Sequence, residues 1–354
     1  MSHSPLPLPS TTRTYRRTAP PYPLTIVPST EPLPQSLDPH SLLLRIHAVS
    51  LNYRDIAMLQ ENGYPVPVLA GGIPASDCAA EVVAVGEKVS KFQVGDRVAP
   101  TFDLACLTGE ERGLEMRALG GEVEGVLREW VVLEEEVLVR LPGGVSWEEA
   151  STIACAGVTA WSALGGLRDV RKDAVALLQG TGGVSMFALL LCLAAGIKPI
   201  ITSSSDEKLQ KLKELGDDVL TINYKTTPDV AAEALRLTDG QGVDFVVNNV
   251  GLSSLPEDMK MLRKYGRIAL IGFLGGLEAR FDASELMTLL FKRASIQGIG
   301  VGSRKDFEDL NRFLEERKVE LGSIVDRVFE FEDAPEAFEY LASGKHKGKV
   351  VVKV

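Results

Sequence analysis

The sequence predicts an α/β protein of two domains, in which a β-rich domain is interrupted by a domain with a parallel sheet. Length is the first observation, because a chain of 354 residues is longer than one hydrophobic core usually supports. The second is a series of short apolar segments, separated by glycine-containing turns, over the first 150 residues. The third is an alternation of strand-like and helix-like segments from about residue 151, which is typical of a parallel sheet with right-handed crossovers.

Short apolar runs bounded by turn residues define the β-rich part. Leu42–Val49 and Ala79–Val85 are predicted strands, and Val131–Leu141 contains further short ones. Many short strands joined by polar turns indicate a barrel-like unit. A final strand, Lys349–Val354, needs a sheet to join, and the β-rich part is the nearest candidate.

The interrupting part alternates between the two kinds of element. In chain order the predictions are helix Trp147–Leu164, strand Ala174–Gln179, helix Val184–Ala195, strand Ile200–Ser203, helix Glu207–Leu215, strand Val243–Asn248, helix Pro256–Lys264 and strand Arg267–Ile271. Two more helices, Lys305–Arg317 and Ala334–Ser343, follow before the final strand. Strands that alternate with helices of this length predict a doubly wound parallel sheet.

The first 22 residues are predicted to be a flexible leader, because they are rich in Pro, Ser and Thr and contain no apolar run. Arg13, Arg16 and Arg17, with few acidic neighbours, leave an organelle-targeting role open. The alternative is a disordered leader that runs into an edge strand.

The charge balance excludes some classes of function. A net charge of −10 and a pI near 5.1 argue against a nucleic-acid-binding protein, which would carry a basic surface. The longest apolar run, Val184–Ala195, is shorter than the roughly 18–20 residues that span a bilayer. The four cysteines form no CxxC pair and indicate reduced thiols. We therefore expect a soluble cytoplasmic protein that binds neither nucleic acid nor membrane.

A glycine-rich turn follows a predicted strand and opens a predicted helix, which is the context that a dinucleotide-binding turn requires. Its residues are Gly180, Thr181, Gly182, Gly183, Val184 and Ser185. Gly180 permits a tight turn, and Gly182 lets the backbone approach a pyrophosphate at the helix N-terminus. Ser185 in place of a third glycine weakens the motif, so a turn without a ligand is the alternative.

The end of the next strand indicates which cofactor binds. NAD sites usually place Asp or Glu there, about 20 residues further on, to hold the ribose 2′-hydroxyl. This chain has Ser203, Ser204 and Ser205, and Lys208 follows one helical turn later. Hydroxyls and an ammonium accept a 2′-phosphate, which favours NADPH. The alternative is that Ser205 caps the next helix while Lys208 lies on its solvated face, and the acidic Asp206 counts against phosphate.

With these features in place, the chain resembles the medium-chain dehydrogenase/reductase superfamily, in particular its zinc-lacking quinone oxidoreductase-like branch of alcohol dehydrogenase-like proteins. The motifs that carry the resemblance are Leu51–Asp55, Asp77 with Glu81–Gly86, Gly95–Val98, Ala156–Trp161, Gly180–Ser185, Ile222–Tyr224 and Gly348–Val351. The resemblance implies a GroES-like catalytic domain at 23–150 plus 300–354 and a Rossmann NADP-binding domain at 151–299, after the leader at 1–22. It also implies a homodimer joined near Ala294–Val301, with a monomer as the alternative.

The resemblance also implies a role for individual residues. Asn52 and Tyr53 match the pair that lines the nicotinamide and substrate pocket. The cofactor contacts that it implies are Thr159 near the nicotinamide ribose and diphosphate, the turn residues Gly180, Gly182, Gly183 and Val184, the 2′-phosphate contacts Ser204, Lys208 and Tyr224, and the strand-end residues Val250, Gly272 and Phe273. Ser303 and Arg304 are expected to reach the phosphates from the C-terminal segment.

Zinc is not expected. By the resemblance, the three positions that hold catalytic zinc in other members are Asn52, Ser76 and Cys155 here, and Cys106 alone represents the lobe that binds structural zinc. One thiolate cannot build the three-ligand open site that catalytic zinc requires. Cys155 is then a small apolar residue, and Asp77 is a structural carboxylate.

The leading hypothesis is therefore the NADPH-dependent, metal-free reduction of an activated alkene or quinone, with a small, mostly apolar carbonyl compound or quinone as substrate. Tyr53 and Asn52 are the candidate donors to the developing oxyanion, and the proton comes from Tyr53 or from water. Tyr53 as a wall of the pocket without proton transfer is an alternative. Two other functions stay open, namely metal-free alcohol or carbonyl redox chemistry, and an NADPH-binding sensor or structural protein with little catalysis.

Overall fold

The computed structural model describes residues 9–168 and 170–354. The chain divides into two compact units. The first unit contains Met1–Cys155, Gly302–Glu316 and Glu320–Val354, and the second contains Ala156–Val301 and Arg317–Val319.

Fifteen strands are present in the described part of the chain. They are β1 Thr11–Arg17, β2 Ile26–Pro32, β3 Ser41–Ser50, β4 Asp77–Val85, β5 Arg97–Pro100, β6 Trp130–Glu134, β7 Leu138–Arg140, β8 Val175–Leu178, β9 Lys198–Ser203, β10 Leu220–Asn223, β11 Val243–Asn248, β12 Leu262–Leu270, β13 Ser295–Gly298, β14 Val325–Glu330 and β15 Lys349–Lys353.

Ten α-helices accompany these strands over the same residues. They are α1 Tyr53–Ala57, α2 Trp147–Ser151, α3 Val158–Ala163, α4 Gly183–Ala195, α5 Asp206–Lys213, α6 Val230–Leu237, α7 Leu255–Met261, α8 Met287–Lys292, α9 Arg304–Arg317 and α10 Ala334–Ala342.

In the first unit a seven-stranded sheet has the order β14-β15-β3-β4-β5-β7, and β6 also pairs with β3. Its core includes Leu42, Leu44 and Ile46 from β3, which alternate with residues of the other face. The final strand β15 pairs antiparallel with β3 and places Val352 opposite Val49. The prediction that the last strand joins the N-terminal β unit is therefore confirmed.

The predicted leader differs from the structure over residues 11–17, and residues 1–8 lie outside the described residues. Residues 11–17 form β1, which pairs antiparallel with β2 along its whole length. The segment alternates Thr and Tyr with Arg, and Thr12, Thr14 and Tyr15 are buried. This part of the leader prediction is therefore corrected: a strand forms because its β-favouring residues have a partner strand and a core to pack against.

In the second unit a six-stranded sheet has the order β10-β9-β8-β11-β12-β13, and all of its pairs are parallel. This is the doubly wound order, in which the chain direction around the sheet reverses between the first and fourth strands. The reversal lies between β8 and β11, where crevices at the carboxyl ends of the strands bind ligands. Among the described residues no helix is long and apolar enough to cross a membrane.

Two predicted helices are shorter in the structure. The segment Trp147–Leu164 is interrupted after α2, where a π-helical turn, Ile153–Gly157, precedes α3. The Thr152 hydroxyl donates to the carbonyl of Glu149 at 2.6 Å, which loosens regular helix at that point. The helix predicted to continue to Lys264 ends at Met261 instead, because the chain enters β12 at Leu262.

Candidate active site

The glycine-rich turn joins β8 to α4 at the carboxyl edge of the parallel sheet. Gly182 is the N-cap of α4, and no side chain caps this helix end. Gly180 has φ +78°, which a residue with a side chain rarely adopts. The Gly180 N–H donates to the Thr202 hydroxyl at 3.1 Å, which ties the turn to β9.

Open space lies beside this turn. A Cβ added at Gly180 or Gly182 would meet no protein atom within 4 Å. Packing within the protein therefore does not explain the glycine at 182, whereas a ligand that approaches the backbone closely does. The first N–H groups of an α-helix lack intrahelical partners and carry a partial positive charge, so the residues present fit a pyrophosphate.

The ends of β9 and β10 bring the predicted 2′-phosphate residues together. The Tyr224 N–H donates to the carbonyl oxygen of Ser203 at 3.1 Å, and Tyr224 is 44% exposed. Ser204 follows directly and is half-buried, and α5 then carries Lys208 in its first turn. The Ser205 hydroxyl accepts from the Lys208 N–H, so the alternative role of Ser205 as a cap is also present. Capping uses the backbone N–H of Lys208 and not its side chain.

Asp206, which counted against a phosphate, is bound elsewhere. Its carboxylate accepts from the side-chain amide of Asn223 at 2.7 Å. The Ser203 hydroxyl accepts from the Ser205 N–H at 3.2 Å, which fixes the loop between β9 and α5. Hydrogen bonds therefore fix the loop that follows β9, and the nearby carboxylate of Asp206 is itself hydrogen-bonded to Asn223.

The loops after β11 and β12 pack backbone against backbone. A Cβ on Gly272 would lie 2.4 Å from the carbonyl oxygen of Asn249, and a Cβ on Gly251 would lie 3.1 Å from the Cα of Phe273. The structure thus brings Val250, Gly272 and Phe273 to one place at the strand ends, and their contact with the nicotinamide half of a cofactor stays a prediction. Thr159 is 2% exposed in α3, which packs against α4 and β11.

The first unit contains a buried polar cluster of four side chains, Asn52, Ser76, Asp77 and Lys349. The Lys349 ammonium donates to the Asn52 Oδ1 at 2.5 Å and to the carbonyl of Leu51 at 2.6 Å. The Ser76 hydroxyl donates to the Asp77 Oδ1 at 2.5 Å, and the Asn52 Nδ2 lies 3.5 Å from the Ser76 oxygen. The Lys349 ammonium lies 3.8 Å from the Asp77 Oδ2. We call these four residues the buried polar cluster.

Lys349 is the residue of this cluster that the sequence interpretation missed as a functional group. It is 3% exposed although it begins the apolar strand β15. An ammonium has donors and no acceptor, so it must face the oxygen of the Asn52 amide. The Asn52 Nδ2 is therefore turned away from Lys349 and remains a donor. The signal in the sequence was the lysine that follows Gly348 in the Gly348–Val351 motif. A lysine at this place is equally typical of an exposed strand end.

Burial governs the protonation of the acidic groups here. Asp77 and Asp55 are fully buried, and desolvation raises the pKa of both carboxyls although Lys349 and Arg54 act in the opposite direction. The Asp55 Oδ2 accepts from the Asn52 N–H at 2.7 Å, at the start of α1. Burial also raises the pKa of the Cys155 thiol to about 12, so this residue is a thiol at neutral pH.

These donors do not fit a zinc ion. The three positions present an amide, a hydroxyl and one thiol, and the amide oxygen already accepts from an ammonium. Zinc in proteins takes thiolate, imidazole and carboxylate ligands, and a catalytic site needs three of them. Within residues 9–168 and 170–354, no group of three or more His, Cys, Asp or Glu side chains could hold a metal ion.

Three predicted site residues lie at other places in the first unit. The Tyr53 side chain begins α1 and is 44% exposed. The Ser303 hydroxyl is buried and donates to Asp306 at 2.6 Å at the start of α9. Arg304 donates to the carbonyl of Glu136 at 2.8 Å. A phosphate contact by Ser303 or Arg304 stays a prediction.

Two family models match the chain. Residues 38–143 match the alcohol dehydrogenase GroES-like domain, and residues 183–316 match the zinc-binding dehydrogenase family. The first match contains most of the buried polar cluster, and the second begins within the glycine-rich turn, at Gly183, and contains the strand ends that follow it.

Individual proteins agree with these models. A zinc-type alcohol dehydrogenase-like protein of Schizosaccharomyces pombe is 40% identical over 91% of this chain and 93% of its own length. The acryloyl-coenzyme A reductase of Sulfurisphaera tokodaii is 27% identical over 88% of this chain and 92% of its own. A crystal structure of a protein from Sinorhizobium meliloti 1021, assigned as an alcohol dehydrogenase, superposes with a TM-score of 0.88 at 34% identity and covers 98% of this chain and 100% of its own. With its doubly wound sheet, its GroES-like unit and these relatives, the chain belongs to the medium-chain dehydrogenase/reductase superfamily of oxidoreductases.

Proposed function

We propose that this protein is an NADPH-dependent reductase that transfers hydride to an activated alkene or quinone without a metal ion. The observation that carries the proposal is the contact between the Lys349 ammonium and the amide oxygen of Asn52, a residue that the resemblance matches to a zinc ligand of other members. A lysine beside this residue supplies positive charge and a fixed amide donor in place of a Lewis acid.

The second unit binds the cofactor in this proposal. The pyrophosphate lies against the N-terminus of α4 beside Gly180 and Gly182, where a Cβ would meet no protein atom. Hydroxyls of Ser203 and Ser204, with Lys208 and Tyr224, surround the 2′-phosphate at the ends of β9 and β10. No carboxylate takes the place that binds the 2′-hydroxyl in NAD sites, since Asp206 is bound to Asn223.

The reaction needs a hydride donor, a polarised acceptor and a proton. Bound NADPH would supply a hydride to the β carbon of the acceptor and leave as NADP⁺, and the electron pair of the C=C bond would form an enolate. The Asn52 Nδ2, which Lys349 turns away from itself, donates to the enolate oxygen. A proton from Tyr53 or from water then adds at the α carbon, which completes the reduction of the alkene. A quinone becomes a hydroquinone by the same transfer of one hydride and one proton.

The relatives support this class of chemistry without deciding it. An acryloyl-coenzyme A reductase, named for an alkene conjugated to a carbonyl group, is 27% identical over 328 residues. A conjugated alkene needs only stabilisation of an enolate, which hydrogen-bond donors provide.

The test is steady-state kinetics of the purified protein with NADPH and with NADH on enones, quinones, aldehydes and alcohols. We expect turnover of enones or quinones with NADPH, unchanged by a chelator and by added Zn²⁺. Turnover of simple alcohols alone, or turnover that appears only with added Zn²⁺, would overturn the proposal. Tight NADPH binding without turnover of any of these compounds would favour a sensor or structural protein instead.

A second candidate is metal-free reduction of a carbonyl group itself, and the names of the relatives favour it. The Schizosaccharomyces pombe relative is named as alcohol dehydrogenase-like. The product distinguishes the two reactions, because an enone reduced at C=C yields a saturated ketone whereas one reduced at C=O yields an allylic alcohol.

We also propose that the protein forms a homodimer through the edge of the second unit. Strand β13 is the last strand of the six-stranded sheet. In the preceding helix α8, Leu290 is 65% exposed and Phe291 is 73% exposed. An unpaired sheet edge beside exposed apolar side chains is the kind of surface that a second copy covers. Light scattering of the purified protein tests this assembly.

A further inference from the structure

A second set of buried polar side chains lies where β8 and β11 end, in the second unit. Gln179 follows β8, Asn248 ends β11, and Asp258 belongs to α7. Their exposed fractions are 8%, 0% and 1%. Burying a carboxyl group this deeply costs free energy unless its oxygens are hydrogen-bonded.

Every hydrogen bond to the Asp258 carboxylate comes from an uncharged donor. The Oδ1 accepts from the Gln179 Nε2 at 2.8 Å. The Oδ2 accepts from the Asn248 Nδ2 at 2.6 Å and from the Ser254 hydroxyl at 3.0 Å. Above about pH 8 the carboxyl group is ionised and only accepts, so it holds the NH₂ ends of both amides toward itself.

The opposite ends of the two amides therefore point away from Asp258, and both bind the loop after β11. The Gln179 Oε1 accepts from the Val250 N–H at 3.1 Å. The Asn248 Oδ1 accepts from the Gly251 N–H at 2.7 Å. One carboxylate thus orients two amides, and the two amides fix two successive N–H groups of the backbone.

The loop that is held in this way carries Val250, one of the residues predicted to contact the nicotinamide half of the cofactor. Its backbone also packs tightly against the loop after β12, since a Cβ on Gly251 would lie 2.9 Å from the carbonyl oxygen of Gly272. A small displacement of Val250 and Gly251 is therefore passed on to Gly272 and Phe273.

We infer that Asp258 is a positioning residue for the cofactor: through Gln179 and Asn248 it fixes the Val250–Gly251 backbone against which the nicotinamide half binds. Asp258 acts through these two amides and not by contact with NADPH. The inference rests on the proposed function for the identity of the ligand. The orientation of the loop by Asp258 is a property of the protein alone.

The amide orientation supplies a sharp test, because Asp258→Asn replaces one acceptor oxygen by a donor. The new NH₂ group must then face the NH₂ group of Gln179 or of Asn248. If either amide rotates to avoid this, its own NH₂ group meets the N–H of Val250 or Gly251. The single variant therefore cannot satisfy the network in any orientation.

Exchanging the two residues restores the bonds to Gln179 and to the Gly251 N–H, and loses the donation from the Asn248 Nδ2 to the carbonyl of Gly251 at 3.2 Å. In the double variant Asn248→Asp/Asp258→Asn, the amide at 258 accepts from Gln179 through its oxygen and donates to the carboxylate at 248 through its nitrogen. That carboxylate still accepts from the Gly251 N–H. A matched control is Asp244→Asn at the opposite end of β11, where the carboxylate accepts from the Val175 N–H at 2.8 Å and pairs with Arg263 at 3.0 Å.

The measurement is amide hydrogen exchange of the segment 249–252 at pH 8 in the full-length protein without cofactor, followed by the Kd, KM and kcat for NADPH at the same pH. In Asp258→Asn we expect exchange at Val250 and Gly251 to accelerate about tenfold or more, and the Kd for NADPH to rise about tenfold, with a smaller change in kcat. The double variant should return both quantities to within about threefold of the wild type, and Asp244→Asn should leave both near the wild-type value.

Each outcome has a separate meaning. Unchanged exchange at 249–252 in Asp258→Asn would overturn the inference. Faster exchange across the whole sheet without rescue by the double variant would also overturn it, because that result shows a purely structural role. If exchange responds and is rescued while the wild type binds no NADPH, the positioning of the loop stands and the proposed function fails.

Discussion

The two regions that we assign to function are built on opposite principles. The strand-end edge of the second unit presents backbone N–H groups, glycines and hydroxyls, with Lys208 as its cation. The buried polar cluster of the first unit instead places a lysine and a carboxylate out of reach of water. Backbone donors bind an anion without placing a charge in the interior, whereas a buried ion pair costs desolvation energy that only its own contacts offset. We therefore expect substitutions in the strand-end region to have small effects on stability and activity, and substitutions in the buried polar cluster to have large ones.

This difference predicts that Lys349→Met has the largest effect. Methionine fills a similar volume but leaves the carbonyl of Leu51 and the Asn52 Oδ1 without their donor, and Asp77 without its nearby cation. Removing one partner of a buried ion pair costs about 3–5 kcal/mol, and here uptake of a proton by Asp77 moderates the loss to about 3 kcal/mol in the free energy of unfolding. Loss of the fixed Asn52 donor should also lower kcat by about 10- to 100-fold.

Urea unfolding and enone kinetics measure the two effects. Lys353→Met is the matched control, because this lysine ends the same strand β15 and is exposed. The control should change the free energy of unfolding by no more than about 0.5 kcal/mol. A Lys349→Met protein with the stability and kcat of the control would mean that the cluster is not held by Lys349.

The same contrast explains how far the sequence could be interpreted. The doubly wound sheet and the turn from Gly180 to Val184 depend on residues that are close in sequence, so spacing alone predicts them. The amphipathic and apolar patterns placed α4 and β11 within one residue of their observed bounds. The end of α2 was missed because the apolar pattern continues through Ile153 although the helix does not.

The contacts that no local pattern encodes were missed for a physical reason. Lys349 and Asn52 are 297 positions apart, and Gln179 and Asp258 are 79 apart. Lysine at a strand end and aspartate in a helix are common on protein surfaces, so neither residue type signals burial by itself. Only the folded chain shows that these two charges are inside, and their burial is what makes them functional candidates.

Asp258 provides the next prediction, because it places a buried carboxyl group among uncharged hydrogen-bond donors in the strand-end region. The pKa of its carboxyl is raised to about 7, because burial and the neighbouring charge of Glu257 raise it more than the hydrogen bonds from Ser254, Asn248 and Gln179 lower it. In the unfolded chain the pKa is about 3.9. Between these two values the folded state holds a proton that the unfolded state has released, so stability falls as the pH rises.

We therefore expect the free energy of unfolding of the wild type, minus that of Asp258→Asn, to fall by about 1.4 kcal/mol per pH unit between pH 5 and 7. Above about pH 8 the difference should be constant, because the carboxyl is then ionised in both states. Urea unfolding of both proteins at half-unit steps of pH measures the slope. A difference that does not fall between pH 5 and 7 would mean that the folded protein does not raise the pKa of Asp258.

The smallest predicted effect concerns the 2′-phosphate of NADPH. In the proposed function this phosphate binds the ammonium of Lys208, which is partly exposed. In Lys208→Ala the KM for NADPH should rise about tenfold while the KM for NADH stays within about twofold, since only NADPH carries the phosphate. Added salt should reduce the difference between wild type and variant, because the contact is partly exposed and is screened. Lys211→Ala is the matched control one turn along α5, where the lysine pairs with Glu207 at 2.7 Å. An equal rise in KM for NADPH and for NADH would mean that Lys208 stabilises α5 and does not contact the 2′-phosphate. Any preference for NADPH would then depend on Ser204 and Tyr224.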